Sequence, residues 1–171
     1  MALRVNHRLT QLNNIEALLA NITYRQAKID TDSEFCKALH HSVYRDVVIR
    51  QFGAWIDASQ DQFFLETWET KPHKIILWQN QPIGVISSTL HSDHLFLHEL
   101  QIAPEFQGRG FGTMALTELL EKAKRLGLAL RLQVLKENRA LKLYQRFGFK
   151  PVGSTDTHVK MEWTPCIPTP E

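Results

Sequence analysis

Cysteine is nearly missing from this chain: its 171 residues contain two, Cys36 and Cys166, far apart and without metal-ligand spacing. That argues against a disulfide framework and fits a reducing compartment. Long apolar runs are missing too. None approaches the ~18 residues that a membrane-spanning helix needs, so no membrane partner is expected. Charge of one sign is equally scarce. The formal net charge is +2 with no run of five basic residues, which argues against nucleic acid as a default partner. No repeat, low-complexity stretch or linker divides the sequence, and the length suits one domain with a core that needs no staples.

Arg4 and Arg8 precede the first acid, Glu16, loosely like a mitochondrial transit peptide. Residues 1–20 read better as a leader packed on the domain, with the cytoplasm as default location. A single domain is expected over 21–163, followed by an irregular Pro-containing tail over 164–171.

Within the domain the apolar period switches repeatedly. Residues 22–29 read as a strand. Asp30, Thr31 and Asp32 offer N-cap chemistry for a helix carrying Phe35, Leu39, Val43 and Val47 at helical spacing, stopped near Gly53. A short helix follows over 59–68. Strands over 73–78 and 83–90 flank the Asn80-Gln81-Pro82 turn as a hairpin, and a third strand spans 95–102. A helix from about 108 to 126 places Phe111, Ala115, Leu119, Ala123 and Leu126 in one stripe. Then come a strand around Leu130, Leu132 and Val134, a helix over 139–147, and two closing strands over 149–152 and 159–163. The order β-α-α-β-β-β-α-β-α-β-β predicts an α/β fold with a sheet of mixed direction.

The most informative stretch is Pro104-Glu105-Phe106-Gln107-Gly108-Arg109-Gly110-Phe111-Gly112-Thr113. Three alternating glycines between a strand and a helix start suit close backbone approach by a phosphate, received by free amides and the helix dipole. A Walker A loop is excluded because no Gly-Lys-Ser/Thr follows. Gly110-x-Gly112-x-x-Ala115 fits the letters of a dinucleotide fingerprint, with Glu137 as its distant acid. That fingerprint, however, follows its strand tightly, and only about sixty residues remain here, too few for a doubly wound domain. A ligand-free glycine-rich helix start is the bland alternative.

The run from Gln107 to Gly112 resembles the Q/R-x-x-G-x-G/A signature of the GNAT superfamily of acetyl-CoA-dependent N-acetyltransferases. The preceding strand and its Pro-acidic-aromatic exit match as well. A second segment, Asn138-Arg139-Ala140-Leu141-Lys142-Leu143-Tyr144-Gln145-Arg146-Phe147-Gly148-Phe149, resembles the family's N-x-x-A-x-x-L-Y-x-x-x-G-F element, with Asn138 one residue nearer the tyrosine than in the commonest form. The resemblance implies a mixed sheet of about seven strands, helices on both faces, and a cleft where the fourth and fifth strands splay. It implies that Leu100, Gln101 and Ile102 pair with the pantetheine arm of acetyl-CoA. Amides from Gly108 through Arg109, Gly110, Phe111 and Gly112 to Thr113 would receive the pyrophosphate, with Gln107 part of that loop. Asn138 either caps its helix or touches the cofactor arm.

Acetyl transfer to an amine requires a group that takes a proton from an ammonium, whose lysine-like pKa is about 10.4, and one that protonates the departing thiolate. Glu99 sits in an otherwise apolar strand, costly unless the carboxylate is solvated or used. By resemblance it is the candidate base, working through water; an exposed cross-strand pair is the alternative. Tyr144 occupies the family tyrosine position and is the candidate acid, or else a core tyrosine against Phe147 and Phe149. On the acceptor side the first two helices offer Tyr44, Arg45, Phe52, Trp55 and Asp57, with His98, His40 and His41 as further lining. His91, Asp93, His94 and His98 invite a zinc reading, but His94 and His98 would lie ~13 Å apart along a strand, so no metal is expected. The expected function is an acetyl-CoA:amine N-acetyltransferase working by direct attack in a ternary complex, with no motif cysteine for a covalent route. The acceptor is expected to be a small-molecule amine, with a protein N-terminus or lysine as alternative, and the resemblance allows a homodimer. A non-catalytic acyl-CoA sensor on the same fold is the competing class.

Overall fold

The computed structural model describes residues 22–166, so the leader expected over 1–20 lies outside the described residues. Seven strands form one sheet in the order β1-β2-β3-β4-β5-β7-β6. They are β1 (Ile22–Gln26), β2 (Lys74–Trp78), β3 (Gln81–Leu90), β4 (His94–Ile102), β5 (Ala129–Leu135), β6 (Lys150–Ser154) and β7 (His158–Trp163). The helices are α1 (Ile29–Phe52), α2 (Asp57–Thr70), α3 (Phe111–Leu126) and α4 (Ala140–Arg146), with one 3-10 turn at Pro104–Phe106. The order of elements agrees with the sequence reading, and Thr164 to Cys166 carry no regular structure.

Only β4 and β5 run parallel, because α3 carries the chain across between them, and every other neighbouring pair is antiparallel. Alternation along β4 buries Leu95 and Leu97, as it does Leu130, Leu132 and Val134 along β5. The stripe on α3 is Phe111, Met114, Ala115, Leu116, Leu119, Leu120 and Ala123, in one core cluster with those strand residues. Leu126, expected in that stripe, is 48% exposed, since Gly127 ends the helix before its last turn can pack. Leu116 is fully buried; its truncation to alanine is worth about 2–5 kcal/mol.

The cap of α1 differs from the sequence expectation. Asp30 and Thr31 do not cap. The carboxylate of Asp32, inside the helix, reaches back to accept the Lys28 backbone N–H at 2.7 Å and takes both guanidinium nitrogens of Arg25 at 2.7 Å. Arg25 thus holds that carboxyl below its ordinary pKa.

Two irregularities in the central strands shape the cleft. Ser87 pairs with Glu99 but Ser88 pairs with Leu97, so β4 carries one extra residue, His98. Such a bulge changes which face later side chains take. Glu99 and Gln101 therefore turn to the α1 side, as Phe96 and His98 do before them. The second irregularity is the short parallel ladder. It runs from His94↔Ala129 to Leu97↔Leu132 and stops, although β4 continues to Ile102 and β5 to Leu135.

Candidate active site

Where β4 and β5 part, the edge of β4 from Glu99 to Ile102 that faces β5 has no strand partner among the described residues. Unpaired strand backbone accepts an extended, amide-bearing chain as an added strand. This is the stretch containing Leu100, Gln101 and Ile102. Directly beyond it the chain turns through Pro104–Phe106 and enters α3. Gln107 donates its side-chain amide to the Ile102 carbonyl at 2.8 Å, bracing the loop across its mouth. Gly108 has φ 73° and Gly110, the N-cap of α3, has φ 92°, the left-handed region that other residues enter at a cost. The sequence suggests close approach as the reason for these glycines. In the structure a Cβ at 108 or 110 would meet nothing within 4 Å, so the backbone conformation is what requires them.

The first turn of α3 contains no acid and no side-chain cap. The amides of Phe111, Gly112 and Thr113 therefore face outward with the positive end of the helix dipole. Arg109 is exposed, its guanidinium 5.4 Å from the Phe106 ring centre. The residues expected to carry the phosphate contacts are thus contiguous in the turn between β4 and α3, beside the strand gap.

Tyr144 on α4 is 9% exposed and stands edge-on to Phe149 at 5.6 Å. Burial pushes its phenol up to about 12, so it is a proton donor throughout the neutral range. Asn138 accepts the Ala140 N–H at 2.9 Å, which is the capping alternative of its two expected roles. Across the gap, burial raises the Tyr44 phenol well above its usual pKa, and the charges of Glu99 and of Tyr144 when ionised push it further, with the Gln101 amide opposing them. Tyr44, Gln101, Glu99 and Tyr144 therefore share one neighbourhood, assembled from α1, β4 and α4.

Glu99 has a partner that sequence reasoning missed. The His73 imidazole Nε2 lies 3.6 Å from its Oε2, with side chains 5% and 13% exposed. His73 is held on two other sides: Nδ1–H donates to the Lys71 carbonyl at 2.8 Å, and the ring stacks on Trp68 at 4.9 Å. A carbonyl can only accept, so Nδ1 carries a hydrogen and Nε2 is left to face the carboxylate. The only sequence signal was a histidine after Pro72 at a strand start, and nothing there points to Glu99, 26 positions away.

Cys36 and His40, about two turns and one turn before Tyr44 on α1, line the same wall and are buried. Burial, followed by Asp32 and Glu99, raises the Cys36 thiol to about 12, far from the thiolate a nucleophile needs. Burial also lowers the pKa of His40, which is 3.2 Å from Gln60 Oε1.

The remaining acceptor candidates separate. His98 opens into a groove of about 410 Å³ lined by Lys71, His91, Phe96, His98, Gln133 and His158, on the sheet face beside Glu99. Arg45 and Trp55 do not reach it. The Arg45 guanidinium lies 5.0 Å from the Trp55 ring centre, and Asp57 accepts from Trp55 Nε1 at 2.8 Å and from Arg45 at 3.4 Å. His41, 2.7 Å from Asp61, closes the same joint between α1 and α2. These side chains satisfy one another and hold the helices together. Among the described residues no group of three or more His, Cys, Asp or Glu side chains is placed to hold a metal ion, and no helix is long and apolar enough to cross a membrane.

Comparison with known proteins agrees with this geometry. The chain is 35% identical over 78 residues to the ribosomal protein bS18-alanine N-acetyltransferase of Haemophilus influenzae. That match covers 45% of this chain and 53% of the relative, so it spans about half the relative's length. Among solved structures, the PaiA N-acetyltransferase of Thermoplasma acidophilum in complex with coenzyme A superposes with a TM-score of 0.68 at 19% identity, covering 84% of this chain and 98% of that one. The ribosomal-protein-S18-alanine N-acetyltransferase of Escherichia coli gives 0.62 at 17% identity, over 86% and 96%. The family model for acetyltransferases of the GNAT type matches residues 40–149, a span that contains the strand gap, the glycine loop, Glu99 and Tyr144; the chain belongs to the GNAT acetyltransferase family.

Proposed function

We propose that this protein transfers an acetyl group from acetyl-CoA to a primary amine by direct attack, with both substrates bound together. The observation that carries the reading is the pairing of two proton-handling side chains, Glu99 and Tyr144, on either side of the strand gap. Acetyl-CoA supplies the thioester. Leu100, Gln101 and Ile102 present backbone to its arm, and the amides from Gly108 to Thr113 receive its pyrophosphate. Coenzyme A in the Thermoplasma PaiA crystal structure supports that ligand class for the fold.

Glu99 takes a proton from the incoming ammonium through a water, and His73 Nε2, 3.6 Å from the carboxylate, offers a second acceptor beside it. The neutral amine then forms the C–N bond as the C–S bond breaks, and the nitrogen gives its second proton through water to His73 Nε2. Tyr144, protonated at neutral pH because it is buried, gives its proton to the departing sulfur and recovers one from solvent. The high pKa of Cys36 supports transfer without an acyl-cysteine. Asn138 acts as a helix cap, and Tyr44 forms part of the acceptor wall.

A small-molecule amine is the proposed acceptor. A protein N-terminus is the second reading, favoured by the likeness to the bS18-alanine enzyme. Thiol release from acetyl-CoA, measured across small amines and peptides with free N-termini, separates the two. Saturable CoA binding with no release on any acceptor would instead mark a sensor and overturn the catalytic reading.

A further inference from the structure

The groove beside Glu99 has a charge pattern that bears on its acceptor. None of its six lining residues is acidic, and Lys71 supplies the full positive charge. Lys71 is half-buried, yet no carboxylate among the described residues lies within 4 Å of its ammonium. Charged side chains held at a partly dry surface are ordinarily paired.

The acids nearest the outer rim are already engaged. Glu162 is 2.6 Å from Arg131 Nε, and Asp93 lies 3.3 Å from the same guanidinium and 2.8 Å from His94. A cationic chain such as a basic peptide would find no carboxylate among the residues that line the groove.

The histidines provide neutral donors. Burial and then the Lys71 charge lower His98 to about 4, and burial lowers His158. One nitrogen of each is engaged internally, His98 Nε2 with Thr89 at 2.9 Å and His158 Nδ1 with Thr157 at 2.8 Å. His91 stacks on His94 at 4.5 Å. Negative charge thus sits on Glu99, the next residue of β4 after the groove's His98, and positive charge on Lys71 within the lining.

We propose that the acceptor is an amine that also carries an anionic group, a carboxylate or a phosphate, with the amine at Glu99 and the anion held by Lys71 together with His91, His98 and His158. This rests on the acetyl-transfer reading only for the position of the amine; the anion subsite stands on the groove itself.

The decisive measurement is kcat/KM for matched acceptors: β-alanine and glutamate, phosphoethanolamine, the corresponding amides, and diamines. Wild type should favour the anionic members over their amides by about tenfold or more, the worth of one or two charge-assisted hydrogen bonds. The carboxylate and phosphate arms show which anion fits better. Lys71→Gln should shrink the anionic-to-amide ratio about tenfold, and Lys71→Glu should invert it toward diamines. A wild-type preference for amides, diamines or basic peptides would overturn the proposal, as would a ratio that neither variant changes. If no amine is acetylated, the catalytic reading fails on its own. Titration of the histidine ring NMR signals with glutarate and with inorganic phosphate then decides: shifts in wild type lost in Lys71→Glu support the anion subsite, and no shift overturns it.

Discussion

The two sides of the β4–β5 gap are built on different principles. The side proposed to face acetyl-CoA is made of backbone: an unpaired strand edge, two glycines in left-handed geometry and the free amides of a helix start. Its polar groups are contiguous in sequence, from Leu100 to Thr113. The proposed acceptor side is made of side chains drawn from four separate places: Tyr44 on α1, Lys71 and His73 ahead of β2, Glu99 on β4 and Tyr144 on α4. Backbone chemistry recognises what every member of a family shares. A wall of side chains can change one residue at a time, and that is where specificity is set.

If the contrast is sound, substitutions on the acceptor side act on the chemical step. Glu99→Gln keeps the shape and removes the base. It should lower kcat/KM by about 10²–10⁴, the range for a positioned acid or base, while acetyl-CoA binding by calorimetry stays at the wild-type value. Equal turnover in the variant would reassign the base. His73→Phe preserves a ring on Trp68 but removes Nε2, and a loss of roughly tenfold in kcat follows if Nε2 is the second proton acceptor.

Tyr144→Phe comes next. A thiolate is already a fair leaving group, so the loss should be smaller, roughly tenfold in kcat at saturating acetyl-CoA. The sign of its pH dependence is fixed by a phenol raised to about 12. A raised pKa keeps the donor protonated as pH rises, so Tyr144 contributes no alkaline limb below about pH 10. The variant should show a lower plateau with unmoved limbs, and a shifted alkaline limb would place the titrating group elsewhere.

On the cofactor side the expected effect is on binding. A Cβ at Gly110 would touch nothing, so Gly110→Ala isolates the cost of φ 92°. About 1–2 kcal/mol corresponds to a rise of roughly five- to thirtyfold in KM for acetyl-CoA, with kcat at saturation little changed. A fall in kcat at unchanged KM would break the division between the two sides.

The same division explains what the sequence made legible. The α/β order, the mixed direction of the sheet and the glycine loop could be read because their signals are local: period, helix stops and a contiguous motif. Glu99 drew notice as a charge in an otherwise apolar strand, and Tyr144 through its place in the segment that resembles the family's second motif. His73 did not, since its meaning comes from stacking on Trp68 and facing a residue two strands away. Arg45 and Trp55 have a shared partner that their sequence spacing did not reveal, the Asp57 carboxylate at the joint of the two helices. The bulge at His98 was invisible too, because it is defined by the register of β3 against β4.

The smallest effect concerns that bulge. His98 has its pKa lowered to about 4, first by burial and then by Lys71. The unfolded chain would protonate it near 6.5, so between pH 6.5 and 4 the unfolded state binds more protons and stability falls with falling pH. The contribution is whole above about 6.5 and gone below 4. His98→Gln keeps a hydrogen-bonding side chain within reach of Thr89 but does not titrate. Its melting temperature should fall less than that of wild type between pH 7 and 5, by a few degrees for a chain of this size. An equal fall in both proteins would mean that His98 is solvated rather than buried in the groove. The acceptor wall would then be wetter at its bulge than the geometry of β4 implies, and Lys71 would be the better screened for it.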